Sequence, residues 1–261
     1  MSHAAVLVTR SGTATIIAIN RPERRNAVDG ATARELFDAF RAFDADPTSS
    51  VAVFTGTGAH FCAGADLKAV AVGDLQKRRE IEPRDTLAPM GPSRLVLSKP
   101  VIAAVEGFAV AGGLELALWA DMRVASETAV FGVFCRRFGV PLIDGGTVRL
   151  PRLIGQSRAM DMILTGRPVD ASEAFTMGLA NRVVPRGTAL QAALKLAEEI
   201  SAFPQGCLRN DRRSVIAQWD NDLDAAFMDE MRGGLEVIAS GETKAGATAF
   251  ASGKGRHGKF E

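Results

Sequence analysis

The chain of 261 residues contains no tyrosine and only three histidines. The missing phenol excludes every mechanism that needs a tyrosine side chain, including the Tyr/Lys pair of short-chain dehydrogenases. His3 and His257 lie near the two ends of the chain, where ordered sites are uncommon, so only His60 is placed to act as a general base. Any catalysis must therefore rest on carboxylates, backbone groups or cysteine.

Cysteine and long apolar runs are scarce as well. Cys62, Cys135 and Cys207 are widely spaced and odd in number, which argues against disulfides or a zinc site, and no metal is expected. This usage is typical of a reducing compartment and predicts a cytoplasmic protein. The most apolar stretch, residues 101–120, is interrupted by two glutamates and three glycines, so a membrane span is not expected. No secretory signal is visible near the start.

Neither sign of charge is in excess, since 31 basic residues face 30 acidic ones and the formal net charge is +1. A balanced surface offers little attraction to a polyanion, so neither nucleic acid nor a membrane surface is an expected partner. A small molecule or another protein is favoured. The length fits one globular domain, with or without a helical extension.

Strand and helix patterns alternate over most of the chain. Two β-rich runs within residues 6–19 predict a hairpin, and Asp29 favours the start of a helix. Buried strands are predicted at residues 51–55 and 101–105, and a further helix at residues 114–120. This order predicts an α/β fold built from stacked βα units.

From about residue 187 onward the apolar spacing is that of helices. We therefore divide the chain into a core of residues 1–200, which would carry the substrate site, and a helical region of residues 201–261. A helical tail on an α/β body commonly packs between subunits. The alternative is that the tail covers only its own core.

Two glycine-rich turns, residues 58–68 and 107–115, each lie where a strand passes into a helix. Peptide N–H groups at a helix start, aided by the helix dipole, stabilise anions, so together the turns suggest an oxyanion hole. The alternative for either turn alone is a tight bend that needs small residues.

Glu115 follows the second turn among apolar neighbours, and we expect desolvation to raise its pKa. A salt-bridged core glutamate is the alternative.

Five segments together resemble the crotonase superfamily, the enoyl-CoA hydratase/isomerase fold. Each segment alone is a weak signal, but their order and spacing are specific, and the resemblance covers essentially the whole chain. The segments are residues 20–27 (NRPERRNA), 61–67 (FCAGADL), 99–107 (KPVIAAVEG), 111–115 (AGGLE) and 145–151 (GGTVRLP).

The resemblance implies a crotonase-type spiral of ββα units, a C-terminal helical region that holds homotrimers or paired trimers, and an acyl-CoA thioester as substrate without a further cofactor. It implies that the oxyanion donors are the backbone N–H groups of Ala65 and Gly112, with Glu115 as acid/base. The polar segment 73–92 is expected to form a wall of the acyl pocket. Contacts to CoA are implied for Arg24, Ala27, Ala63, Asp66, Lys68, Phe250 and Lys254.

The chain departs from the hydratases of this family at one position. Those enzymes hold the attacking water with two glutamates; Glu115 falls on the first position and Cys135 on the second. A thiol cannot orient water as a carboxylate does. Asp144 falls where some isomerase-type members carry an acid, so it is a candidate catalytic partner. The alternative for Asp144 is an N-cap of the helix that follows it.

These features predict hydration of a 2-enoyl-CoA through a thioester enolate, with the oxyanion hole and Glu115 in the main roles. Double-bond isomerisation, or another reaction that needs a single carboxylate, is one alternative. A CoA-binding protein without activity is the other, because Cys135 replaces a carboxylate. His60 is then expected to be structural.

Overall fold

The computed structural model describes residues 4–73 and 86–255. The expectations for His3, for His257 and for residues 74–85 of the predicted pocket wall fall outside these ranges. The strands are, in chain order, β1 (Val6–Ser11), β2 (Ala14–Ile19), β3 (Val51–Gly56), β4 (Val101–Val105), β5 (Phe108–Val110), β6 (Met122–Ser126), β7 (Val130–Gly132), β8 (Val169–Asp170) and β9 (Arg182–Val184). The helices are α1 (Gly30–Ala45), α2 (Leu67–Ala71), α3 (Gly112–Trp119), α4 (Gly146–Ile154), α5 (Gln156–Thr165), α6 (Ala171–Thr176), α7 (Ala189–Ser201), α8 (Gln205–Ala217), α9 (Leu223–Ala239) and α10 (Glu242–Ala251).

The strands form two sheets. A six-stranded sheet has the order β1-β2-β3-β4-β6-β9, in which the β1–β2 hairpin is antiparallel and the later neighbours are parallel. A second sheet has the order β5-β7-β8. The successive strands β4 and β5 enter different sheets before α3, and β6 and β7 do the same before α4. The predicted α/β class is therefore confirmed, and the repeating unit is two strands followed by a helix.

The central strands β3 and β4 are buried on both faces, which explains why they read as unbroken apolar runs. Their side chains alternate between two core clusters. Phe54 and Ala103 belong to the larger cluster, which also contains the apolar faces of α1 and α3. Val53 and Ile102 belong to a smaller cluster that α7 covers.

Helix α1 begins and packs as its sequence predicts. The side chain of Asp29 accepts a hydrogen bond from the N–H of Thr32 at 2.9 Å and so caps the first turn. Leu36 and Phe40 are fully buried, and burying each such side chain stabilises the fold by about 1.5–3 kcal/mol. The ring of Phe40 meets that of Phe54 edge-on, with centroids 5.1 Å apart, which fixes α1 against β3.

The chain divides after Ile200 into two compact units. In the second unit, α8 packs against α9 and α9 packs against α10. The carboxylate of Glu242 accepts hydrogen bonds from the N–H groups of Gly206 and Cys207, at 3.0 and 2.6 Å, and so links α10 to the start of α8. Helix α10 was not predicted as a separate element from the sequence.

The helices of the second unit carry many exposed apolar side chains: Val215, Trp219, Leu223, Phe227, Met228, Met231, Leu235, Ile238 and Phe250. Within the described ranges, no helix is both long and apolar enough to cross a membrane.

Candidate active site

A cleft in the first unit holds about 800 Å³ of space between protein atoms, with open solvent at its mouth included. Most of its wall is apolar, with carboxylates at a few points. The cleft brings together the following residues that the sequence singled out: Ala63, Ala65, Asp66, Gly112, Glu115, Cys135 and Asp144. Of the predicted pocket wall, Pro89 and Met90 also line it.

The first glycine-rich turn presents the backbone of Ala65 to the cleft. Ala65 pairs with Val28 in a parallel bridge. The backbone N–H of Val28 donates to the carbonyl of Gly64 at 2.8 Å, and the backbone N–H of Asp66 donates to the carbonyl of Val28 at 2.8 Å. In such a bridge the N–H of the central residue points away from its partner. Among the described residues, no acceptor meets the N–H of Ala65.

The second turn does the same for Gly112, the first residue of α3. The helix starts two residues earlier than predicted, and Ala111 before it has φ +54° and ψ −126°, an uncommon conformation for a residue with a side chain. Because Gly112 stands at the helix start, its N–H has no intrahelical acceptor, and the described residues supply none. This N–H is therefore available to a ligand.

The two turns lie against each other. The backbone N–H of Cys62 donates to the carbonyl of Phe108 at 2.8 Å, and that of Val110 donates to the carbonyl of Cys62 at 3.1 Å. A Cβ atom added to Gly64 would lie 3.0 Å from the nitrogen of Gly112, so the backbones approach too closely for a side chain. The predicted pairing of the turns is thus present in the fold.

Glu115 lies one turn into α3 and is only 2% exposed. Its Oε1 atom accepts hydrogen bonds from the N–H groups of Asp144 and Gly146, at 2.9 and 2.8 Å. Burial, and next the charge of Asp144, raise the pKa of Glu115 to about 7, against the lowering effect of the two hydrogen bonds and of Arg149. Both protonation states are accordingly accessible near neutral pH, as a proton-transfer group requires.

Asp144 is 3% exposed and does not cap α4. The helix begins at Gly146, its N-cap is Gly145 in the left-handed conformation, and no side chain bonds to the cap. The carboxylate of Asp144 instead accepts hydrogen bonds at Oδ1 from the N–H of Met90 at 3.0 Å and the hydroxyl of Ser93 at 2.5 Å. The N-cap interpretation is therefore wrong, because this carboxylate points toward another segment of the cleft.

Each of these two carboxylates uses a single oxygen for its protein contacts. Oε2 of Glu115 and Oδ2 of Asp144 accept no hydrogen bond from any residue in the described ranges. Both side chains line the cleft. Each carboxylate is thus held by one oxygen and can offer the other to a bound molecule.

Cys135 lies in a short 3-10 helix, Phe134–Phe138, and is 7% exposed at the cleft wall. Burial and the nearby charge of Glu115 raise the pKa of its thiol, so it is neutral near pH 7. The next two residues, Arg136 and Arg137, donate to backbone carbonyls around the end of α5. Arg136 bonds to Ile163 at 3.2 Å and Arg137 to Gly166 at 2.8 Å.

An arginine–aspartate cluster lies at one side of the cleft. Asp66 is buried, caps α2 through the N–H of Lys68 at 3.1 Å, and forms ion pairs with Arg24 at 2.7 Å and Arg21 at 3.1 Å. Arg21 also pairs with Asp29 at 2.7 Å. The carboxylate of Asp66 is thus bound to two guanidinium groups and to the start of α2, while the side chain of Arg24 stays partly exposed.

The other predicted CoA contacts are more scattered. Ala27 is buried beside this cluster, and the N–H of Ala63 donates to the carbonyl of Arg25 at 3.0 Å. Phe250 is an exposed residue of α10, and Lys254 follows that helix in the second unit.

His60 has a structural environment. Its Nδ1 atom accepts a hydrogen bond from the N–H of Phe108 at 3.3 Å, and its ring stacks on that of Phe108 with centroids 4.8 Å apart. Burial and Arg25 lower its pKa. It does not line the cleft, and the described residues contain no group of three or more potential metal ligands.

Sequence reasoning missed three residues around the cleft: Arg21, Ser93 and Arg149. Arg21 stands in the resembling segment 20–27, and one of its two carboxylate partners, Asp66, lies 45 positions away. Arg149 donates to the carbonyls of Asp144 and Ser93, at 2.9 and 2.7 Å. No local pattern marks the contact of Arg21 with Asp66 or that of Arg149 with Ser93, because each joins segments that only the fold brings together.

The sequence matches known proteins over most of its length. The profile of the family described as Enoyl-CoA hydratase/isomerase matches residues 9–257. The enoyl-CoA hydratase EchA19 of Mycobacterium tuberculosis is 39% identical over 254 residues, which cover 94% of this chain and 92% of that protein. A probable enoyl-CoA hydratase of Rhizobium meliloti is 37% identical over 250 residues, covering 96% of each chain.

The fold is also similar to solved structures. The crystal structure of enoyl-CoA hydratase EchA1 from Mycobacterium marinum has a TM-score of 0.88 at 39% identity. The match covers 95% of this chain and 96% of that one.

Proposed function

Because the chain belongs to the enoyl-CoA hydratase/isomerase family, we propose that it is an acyl-CoA enzyme that adds water to the double bond of a 2-enoyl-CoA. Family membership and the crotonase-type fold, both expected from the five sequence segments, are confirmed by the matches. One observation carries the proposal: the N–H groups of Ala65 and Gly112, which no described acceptor meets, line the same cleft as Glu115.

Ala65 and Gly112 would bind the thioester oxygen. A thioester delocalises poorly into its carbonyl, so an enolate forms at the α-carbon when two fixed donors stabilise the oxygen. In comparable sites the loss of one such donor costs about 3 kcal/mol of transition-state stabilisation. The close approach of the two turns supports this role, since it holds both donors on rigid backbone.

Glu115 and Asp144 would exchange protons with water and substrate. Hydration of a conjugated thioester needs a base for the water that attacks the β-carbon and an acid for the α-carbon. Two carboxylates in one cleft, each with one oxygen held and the other open, supply such a pair. Asp144 would then replace the carboxylate that is missing at Cys135.

The nucleotide and pantetheine of CoA would lie along the arginine–aspartate cluster. Arg24, held by Asp66 and still partly exposed, suits a phosphate, because a guanidinium binds phosphate oxygens through several donors. Further contacts are proposed for Ala27, Ala63 and Lys68. Phe250 and Lys254 are likewise proposed as CoA contacts. No cofactor besides the CoA substrate is proposed.

The helices after Ile200 are proposed to assemble a homotrimer or a dimer of trimers in the cytoplasm. The many large apolar side chains that these helices leave exposed support this, since exposed apolar surface of this kind often marks an interface. Light scattering of the purified wild type and of the double variant Phe227→Ser, Met231→Ser tests the assembly. A monomeric wild type would contradict it.

Double-bond isomerisation is the second candidate, favoured by the thiol of Cys135 at the cleft wall. One carboxylate suffices to move a proton between the α- and γ-carbons of a 3-enoyl-CoA. A CoA-binding protein without catalysis is the third reading, motivated by the same residue.

Wild-type enzyme incubated with crotonyl-CoA tests hydration directly, by the loss of the conjugated thioester absorbance. Absence of hydration together with turnover of a 3-enoyl-CoA would show an isomerase instead. The variant Glu115→Gln decides between catalysis and binding alone: we expect its rate to fall at least 100-fold. Glu127→Gln, an exposed glutamate outside the cleft, is the matched control. Equal rates for wild type and Glu115→Gln would remove Glu115 as the acid/base.

A further inference from the structure

The carboxylates of Glu115 and Asp144 are held by different kinds of donor. Both hydrogen bonds to Glu115 come from backbone N–H groups. One of the two bonds to Asp144 comes from a side chain, the hydroxyl of Ser93, at 2.5 Å. Ser93 is 1% exposed, so this hydroxyl is removed from water along with the carboxylate that it serves. A buried hydrogen bond to a charged acceptor is stronger than one to a neutral acceptor.

The charges around the pair also differ. Asp144 faces the guanidinium groups of Arg94 and Arg149, together with the carboxylate of Glu115. Glu115 faces Asp144, Arg149 and the neutral thiol of Cys135. Each carboxylate has the other as a neighbour, but Asp144 has two cations and a hydroxyl that favour its ionised form, whereas Glu115 has one cation. Burial raises the pKa of Asp144, and the hydroxyl and the two guanidinium groups oppose that rise.

Arg149 fixes the geometry of the Ser93 contact. It donates to the carbonyl of Asp144 at 2.9 Å and to the carbonyl of Ser93 at 2.7 Å. The N–H of Met90 donates to the same carboxylate oxygen as Ser93. The segment that carries Ser93 is thus attached to Asp144 at three points, and the hydroxyl is aimed by its backbone.

We propose that Ser93 is a positioning residue whose hydroxyl holds Asp144 as the ionised member of the pair, so that Asp144 accepts a proton while Glu115 donates one. This inference rests on the proposed acyl-CoA function and assigns the two carboxylates their roles. As the water oxygen bonds to the β-carbon, its proton passes to Oδ2 of Asp144. Glu115 gives its proton to the α-carbon, and exchange with solvent restores both groups. The reaction is neutral overall.

The variant Ser93→Ala tests this role through the pH profile. Loss of a hydrogen bond to an ionised group should move the acidic limb of kcat/KM upward by about one to two pH units. It should lower kcat about tenfold near neutral pH with little change in KM, because Ser93 would not contact CoA. Ser93→Thr keeps a hydroxyl and should restore the limb. Ser98→Ala is the matched control, since the Ser98 hydroxyl also donates to an aspartate, Asp44, at 2.9 Å, away from the cleft.

The double variant with Asp144→Asn separates positioning from a general structural role. If Ser93 acts through Asp144, Ser93→Ala should cause no further loss of kcat in the Asp144→Asn background. An equal loss in both backgrounds, or an unmoved acidic limb, would overturn the proposal.

A measurement without substrate distinguishes failure of this proposal from failure of the proposed function. The ¹³C carboxyl resonance of Asp144 can be titrated in the wild type, in Ser93→Ala and in Ser93→Thr. An upward shift of its midpoint in Ser93→Ala alone supports the positioning role even if crotonyl-CoA is not turned over. An unchanged midpoint in Ser93→Ala overturns it even in an active enzyme.

Discussion

The backbone N–H of Asp144 donates to Oε1 of Glu115 at 2.9 Å, while the side chain of Asp144 turns to Met90 and Ser93. The loop that carries one carboxylate therefore positions the other. A movement of this loop would disturb both acids together. The N–H of Gly146 completes the contact to Glu115, and a Cβ added to Gly146 would lie 2.9 Å from Oε1, so a larger residue there would require a shift of this carboxylate.

Activity should fall as pH rises through about 7, the pKa of Glu115, because the proposed acid must hold its proton. Activity should also fall at low pH as Asp144 becomes protonated. A bell-shaped profile of kcat/KM is expected. A rate that keeps rising above pH 8 would mean that Glu115 acts as a base in the free enzyme.

Stability should respond to the same group with a defined sign. The pKa of Glu115 is raised from its ordinary 4.5 to about 7, so the folded state binds this proton more tightly than the unfolded state does. Its contribution is fully present below pH 4.5 and is lost as pH rises through 7. Relative to wild type, Glu115→Gln should gain about 3 kcal/mol in unfolding free energy between pH 4 and pH 8. Urea unfolding at both pH values measures this gain, and a constant difference between the proteins would contradict it.

Gly112→Ala should reduce kcat/KM about 100-fold or more. An added Cβ would lie 2.7 Å from Sδ of Met90, so either the Met90 side chain or the peptide of Gly112 must shift at the cleft, where the thioester oxygen is proposed to bind. Gly246→Ala in α10 meets nothing within 4 Å and serves as the control, with a gain in stability of about 0.5–1 kcal/mol. Full activity of Gly112→Ala would contradict this expectation.

Arg24→Ala should raise KM for an acyl-CoA about tenfold or more and leave kcat nearly unchanged, since it removes a binding contact that is remote from the reaction. Arg10→Ala is the control, because Arg10 is an exposed arginine that pairs with Asp46. Steady-state kinetics with both variants measures the effect. A fall in kcat at constant KM would move Arg24 out of the CoA contacts.

Cys135→Ala should retain activity within about threefold of wild type, because a neutral thiol supplies neither a base nor a carboxylate for water. Cys207→Ala, in α8, is the matched control. Should Cys135→Ala lose as much activity as Glu115→Gln, the thiol would have a direct role, and Asp144 would not suffice as the second carboxylate.

Local sequence determined the elements and the turns. β-rich and unbroken apolar runs predicted the strands, Asp29 predicted the start of α1, and the two glycine-rich turns were identified as one pair. These features depend on neighbouring residues, whose side-chain period and backbone freedom can be read without a fold. The roles of Ala65, Gly112 and Glu115 remain predictions, as do those of the CoA contacts.

Only the tertiary structure decided what surrounds the carboxylates. The sequence did not decide whether Asp144 is a helix cap or an acid of the site, because an aspartate directly before two glycines is compatible with either role. The contacts that exclude the cap come from Met90 and Ser93, 54 and 51 positions away. The elevated pKa of Glu115 was expected from its apolar neighbours, but its size depends on Asp144 and Arg149, which the fold brings to it. The burial of a site residue and the charges around it depend on segments that are distant in sequence. A local pattern can therefore indicate a candidate acid, but the tertiary structure determines its pKa.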